Sequence, residues 1–233
     1  MPWRLFPAHN TVGPEDYFEP NRIKPIRTDF KMDKKYWMLI ALAAAGFFWV
    51  FGCPLGNFWV KITITVCVLC AGSFAVAGVP WRRAELTLKE TAIGVAAAVI
   101  LYGIFWLGDF CAAAVFGFAP RQVEAIYAIR ELGNPWAVGA VLLLVTSPGE
   151  ELFWRGYVQR IAAQRWGNNR GLVVGALLYG AVHLVSGNFM LVMAALVAGL
   201  FWCGLYRWRG NLTACVVSHA LWTVGVFLLF PIR

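Results

Sequence analysis

Long apolar runs, each ended by a short polar or glycine- and proline-containing interruption, fill this chain from Tyr36 almost to its last residue. A helix needs about 20 mostly apolar residues to cross the ~30 Å hydrocarbon core of a bilayer. By that measure the pattern predicts spans at about 36–54, 58–79, 91–117, from Pro135 onward, 171–187, 189–207 and 212–230. The fourth runs on into the basic stretch Arg155 to Trp166. Between the third and fourth, Val123, Ile126, Ile129 and Leu132 recur at helical spacing and predict a short amphipathic helix over about 120–132. The runs are continuous and do not alternate at every second residue, which argues against a β-barrel.

The expected fold class is therefore all-α, a polytopic membrane helical bundle of about seven (six to eight) transmembrane helices. Residues 1–35 read as a cytoplasmic N-terminal tail, polar and proline-spotted, without the apolar core of a signal peptide. Residues 36–233 read as a single integral-membrane domain. No repeat, low-complexity tract or second domain interrupts it.

Composition agrees with the pattern. The chain of 233 residues is 60% hydrophobic and 14% charged, too apolar for an ordinary soluble domain. A net charge of +8 raises the question of nucleic acid, but the basic residues cluster between spans. They fall mainly in 1–35, 80–89, 155–170 and 207–209, which are alternate loops of a seven-span chain. The excess of Lys and Arg on cytoplasmic loops then gives a cytoplasmic N-terminus and an external C-terminus, and no nucleic-acid partner is needed. The six cysteines lie in or beside apolar spans, and the Cys67/Cys70 pair sits mid-span, so they read as buried thiols.

Against this background Gly149-Glu150-Glu151-Leu152-Phe153-Trp154-Arg155-Gly156 stands out. Ionisable groups at bilayer depth are costly, and they tend to be paired, cavity-facing and functional. Glu151 and Arg155 are four residues apart on one helix and face each other. Glu150 points about 100° away, free to face a cavity. Two further spans carry His183 and His219. The midpoint of 150 and 183 falls at the turn Gly167-Asn168-Asn169, so in an antiparallel hairpin Glu150 and His183 lie at one depth. His219, about nine residues from its turn near Gly210, is expected to sit shallower. Lys61, near a span end, is expected to snorkel, and Asp109 to play a structural role near the outer interface.

A Glu and a His can hold a water as a general-base pair while a second His steadies an oxyanion. The same trio could bind Zn²⁺ through two His and one Glu, although a His-Glu-x-x-His helix is absent. Two readings without proteolysis also stay open. In one, the charges lock helices in a membrane scaffold or immunity protein. In the other, Glu150 and His183 relay protons in a transporter, although neither broken helices nor an inverted repeat is apparent.

Glu150-Glu151-x-x-x-Arg155-Gly156, then Tyr179-x-x-x-His183, then His219 on a late helix resemble the CAAX prenyl protease and bacteriocin-processing (CPBP, Abi) family of intramembrane endopeptidases. The resemblance covers about 134–230. It implies a glutamate-type protease in which Glu150 and His183 activate water and His219 stabilises the tetrahedral intermediate. Glu151 and Arg155 support the site, and no metal or other cofactor is expected. Two positions depart from the family pattern. Tyr179 stands where Phe is usual, and Thr223, four residues after His219, stands where Asn is usual. The expected substrate is a membrane-associated protein or peptide, the expected location a prokaryotic inner membrane. The cavity is expected to open to the cytoplasm.

Overall fold

The computed structural model describes residues 34–232, and its regular structure over them is entirely helical. The first 33 residues, and with them nearly all of the expected tail, lie outside the described residues. Helix α1 is Lys34–Gly52, α2 Phe58–Ala77 and α3 Leu88–Val115. The short α4, Ala119–Ala128, takes up the expected amphipathic segment and passes into a 3₁₀ turn, Ile129–Leu132. Next come α5, Pro135–Trp166, and α6, Asn168–Ala181, with α7, Phe189–Arg209, and α8, Leu212–Leu229, completing the bundle.

Asparagines set the starts of four of these helices. Asn57, Asn134, Asn188 and Asn211 each accept from a backbone N–H two or three residues on, as N-caps do. Among the described residues six helices are long and apolar enough to cross a membrane, the lower end of the expected range. The difference is α6. Its apolar sequence runs on past Ala181, but the helix stops there, turns through Leu184–Ser186 and reverses at Gly187, whose φ is +63°. Fourteen residues give about 21 Å, short of a bilayer.

Each helix packs on a few neighbours. α8 lies along α3 and against α5, α6 against α7, and α1 against α2, with α2 also touching α5. α5 and α6 form the expected hairpin. Gly167 turns it with φ +87°, and Gly171 lets α6 approach the backbone of Ala163, where a Cβ would stand 2.5 Å from Ala163 Cα. Such close approach at small residues is how helices gain contact in a membrane, where apolar burial alone gives little drive. The outer faces carry large apolar side chains, among them Val99, Trp106 and Phe110 of α3, as a lipid-facing surface requires.

Two π-helical turns, Leu142–Thr146 and Trp154–Gln159, interrupt α5 on either side of the Glu-Glu pair. Wide turns of this kind recur at functional sites and change which residues share a helix face.

Candidate active site

Glu150 lies fifteen residues beyond Pro135 and sixteen before Trp166, so about 23 Å of helix separates it from either end of α5. It is half-buried, and its Oε2 accepts a 2.9 Å hydrogen bond from the Tyr179 hydroxyl of α6. Tyr179 and His183 stand one helical turn apart on α6, about 6 Å, and both line the same cavity as Glu150. The hydroxyl that Tyr179 has, and a Phe would lack, is therefore a ligand of Glu150.

His183 follows the last turn of α6. Its Nδ1 is 2.8 Å from the Tyr179 carbonyl oxygen. A carbonyl only accepts, so Nδ1 carries the proton and a neutral ring keeps its lone pair at Nε2. Phe47, Phe51 and Tyr179 hold the ring edge-on at 5.0, 5.9 and 5.1 Å between centroids.

Glu151 belongs to a separate, closed cluster. Its Oε1 accepts from Arg155 Nη1 at 2.9 Å, the expected pair, and from His219 Nδ1 at 2.8 Å. Glu151 and Arg155 are completely buried. The Arg155 guanidinium also lies 4.7 Å from the ring centroid of Tyr179 and 5.3 Å from that of Trp202. Trp202 in turn stacks on His219 at 3.8 Å. His219 is thus held to Glu151, and it is not shallow as its distance from Gly210 implies. The start of α8 is drawn inward: Leu212 is 1% exposed and packs beside Gly156 of α5. Counting seven residues along α8 and five back along α5 from that contact brings His219 level with Glu151.

Glu150, His183, His219, Tyr179 and Thr223 all line one cavity of about 180 Å³. At about 30 Å³ per molecule that is room for roughly six waters. Two donors on its wall lack partners among the described residues, Thr223 Oγ1 and Trp222 Nε1. Trp202 and Trp222 are not marked by the sequence pattern as site residues. The available signal for Trp222 was its place three residues after His219, on the same helix face. Lys61 does not snorkel as expected: it is buried, and its ammonium donates to the Cys53 carbonyl at 2.6 Å.

The cavity does not lie toward the basic loops. Its upper wall is Phe51, Phe58, Trp59, Ile126, Ile129 and Phe227, at the end carrying residues 53–57 and α4. The expectation of a cytoplasmic opening therefore conflicts with the orientation given by the charges. The reason is the direction of α5: below Glu150 the helix runs into a solid layer, with Trp154 and Tyr157 each 1% exposed.

Replacing Tyr179 by Phe tests the Glu150 contact. The ring keeps its contacts with Trp154 and His183, so the thermal midpoint stays near wild type. A hydrogen bond to a charged group is worth about 1.5–3 kcal/mol, so turnover of any processing reaction falls by roughly tenfold or more as Glu150 loses its orientation. Unchanged turnover would remove Tyr179 from the site.

Neither the curated proteins nor the solved structures give a match to this chain. A family model does match, over residues 132–225, the segment that supplies Glu150, Glu151, Arg155, Tyr179, His183, His219 and Thr223. That model describes the type II CAAX prenyl endopeptidase Rce1-like proteins, and over this segment the chain is similar to them.

Proposed function

We propose that this protein is an intramembrane endopeptidase that hydrolyses a peptide bond of a membrane-associated substrate. Its location is a prokaryotic inner membrane, with the N-terminus cytoplasmic. The observation that carries the reading is the convergence of Glu150 from the middle of α5, His183 from the end of α6 and His219 from α8 on one cavity. Water held between the Glu150 carboxylate and His183 Nε2 gives up a proton as its oxygen attacks the carbonyl carbon. His219 is held to Glu151 through Nδ1, and when its ring carries a proton on both nitrogens Nε2 donates to the oxygen that becomes negative. The proton taken from water passes to the leaving nitrogen as the C–N bond breaks, giving a carboxylic acid and an amine, and the acid's proton then moves to the amine to leave a carboxylate and an ammonium. No acyl-enzyme forms, because the nucleophile is water.

A metal-free reaction is part of the proposal. A catalytic zinc takes three protein ligands. Among the described residues no three His, Cys, Asp or Glu side chains are grouped closely enough to hold an ion. Glu151 Oε1 and His219 Nδ1 are already engaged with each other.

Ala at Glu150, His183 or His219, in protein that still inserts, is the test of the function. Loss of processing at each is the expected result, and retained processing by all three variants ends the proposal. Trp222 and Thr223 extend the test to the oxyanion. Trp222→Phe keeps the ring packed on Phe105 and removes one unpartnered N–H. Loss of one donor to an oxyanion costs about 10²–10³ in kcat, so kcat falls in that range with KM little changed. A change in KM alone would assign Trp222 to substrate binding instead.

A further inference from the structure

The cavity's lining extends toward one end of the bundle, and the charges say which side of the membrane that end is on. Toward the end carrying residues 78–87 and Gly167, the floor beneath Glu150 is closed by Trp154, Arg155, Tyr157, Gln159 and Trp202, none more than 1% exposed. The loops at that end are tied together as well. Arg209 of α7 forms an ion pair with Glu90 of α3, and the Glu85 carbonyl accepts from Asn211 Nδ2 at 3.2 Å and from Thr213 Oγ1 at 2.9 Å. Toward the other end the wall consists of apolar and aromatic side chains around open space.

The two ends differ in charge. Arg82, Arg83, Lys89, Arg165, Arg170 and Arg207 all lie at the closed end. At the cavity end Arg121 and Arg130 are matched by Glu124 and Glu131, and Lys61 is turned in on the Cys53 carbonyl. Basic loops stay in the cytoplasm, so the closed end is cytoplasmic and the cavity faces outward.

Given the hydrolytic reading above, on which this rests, we infer that the scissile segment reaches Glu150 from the non-cytoplasmic face. The substrate class is then a membrane-anchored or exported polypeptide with its cleavage segment on the outer side. A cytoplasmic protein tethered by a lipidated C-terminus does not meet this geometry. Phe51, Phe58, Trp59 and Phe227 line the way in, so the segment that enters carries apolar side chains beside the scissile bond.

The chain's C-terminus reports on orientation, because the backbone N–H of Ile232 donates to the Tyr127 hydroxyl of α4, at the cavity end. Full-length protein is fused at its C-terminus to alkaline phosphatase, active only outside the cytoplasm, or to green fluorescent protein, fluorescent only inside. An active phosphatase with a dark fluorescent fusion is the expected result, and the reverse overturns the inference. In parallel, polypeptide termini in membranes of cells carrying wild-type or Glu150→Ala protein are mapped. Termini lost from the variant are expected to lie in non-cytoplasmic segments. If they lie in cytoplasmic segments, the access face is wrong while the peptidase reading stands. If no termini are lost, the peptidase reading fails, and the inference that rests on it falls with it.

Discussion

Glu150→Ala is expected to abolish processing and to leave the fold in place. The carboxylate is half-buried, its hydrogen bond runs to the Tyr179 hydroxyl, and it takes no part in the Glu151–Arg155–His219 cluster. Its removal therefore takes away the base without opening the helix lock. A positioned general base contributes about 10²–10⁴ in rate, and the loss falls in or above that range because the water is also left unheld. Glu150→Gln is the sharper variant. It keeps an oxygen that accepts from Tyr179 but has no basicity, so turnover falls as far as in the Ala variant. A thermal midpoint in detergent close to wild type, for both variants, separates this outcome from misfolding. Turnover preserved in Glu150→Gln would assign the carboxylate a role in packing.

Glu151 and Arg155 behave in the opposite way. Both are completely buried, and each is the other's neutralising partner. Removing one member of such a pair leaves an uncompensated charge, at a cost of about 3–5 kcal/mol. Arg155→Ala and Glu151→Ala are expected to lower the thermal midpoint sharply and to reduce the amount of inserted protein. The double variant Glu151→Gln with Arg155→Met leaves neither charge behind and recovers part of the loss. Arg155→Lys recovers little. The guanidinium bonds Glu151 through Nη1 and lies beside the rings of Tyr179 and Trp202, contacts that a compact ammonium does not reproduce. Single variants as stable as wild type would show that the pair does not lock the bundle.

The two neighbouring glutamates thus have different surroundings: Glu150 lines the cavity and Glu151 is paired with Arg155. Local spacing was enough to see this. Four residues put Arg155 against Glu151, and the hairpin turn at Gly167 put Glu150 across from the last turn of α6, which carries Tyr179 and leads to His183. The bundle and its long helices were legible for a similar reason, because the length of an apolar run is fixed by the bilayer. Two features depend instead on how separate helices are offset, and residue counting along one helix does not contain that. His219 meets Glu151 because α8 starts inside the protein, with Leu212 beside Gly156. The direction of the cavity depends on which aromatic side chains pack solid below Glu150 and which stand apart above it. The end of α6 was hidden as well, since Val182, Leu184 and Val185 continue the apolar run after the helix has stopped.

The central claim is that Glu150 activates water for peptide hydrolysis in the cavity shared with His183 and His219. Its most direct test compares polypeptide termini in membranes of otherwise identical cells that carry wild-type or Glu150→Gln protein, matched for abundance and thermal midpoint. The account predicts termini present with the wild type and missing with Glu150→Gln. Identical sets of termini, with both proteins folded and equally abundant, would contradict it.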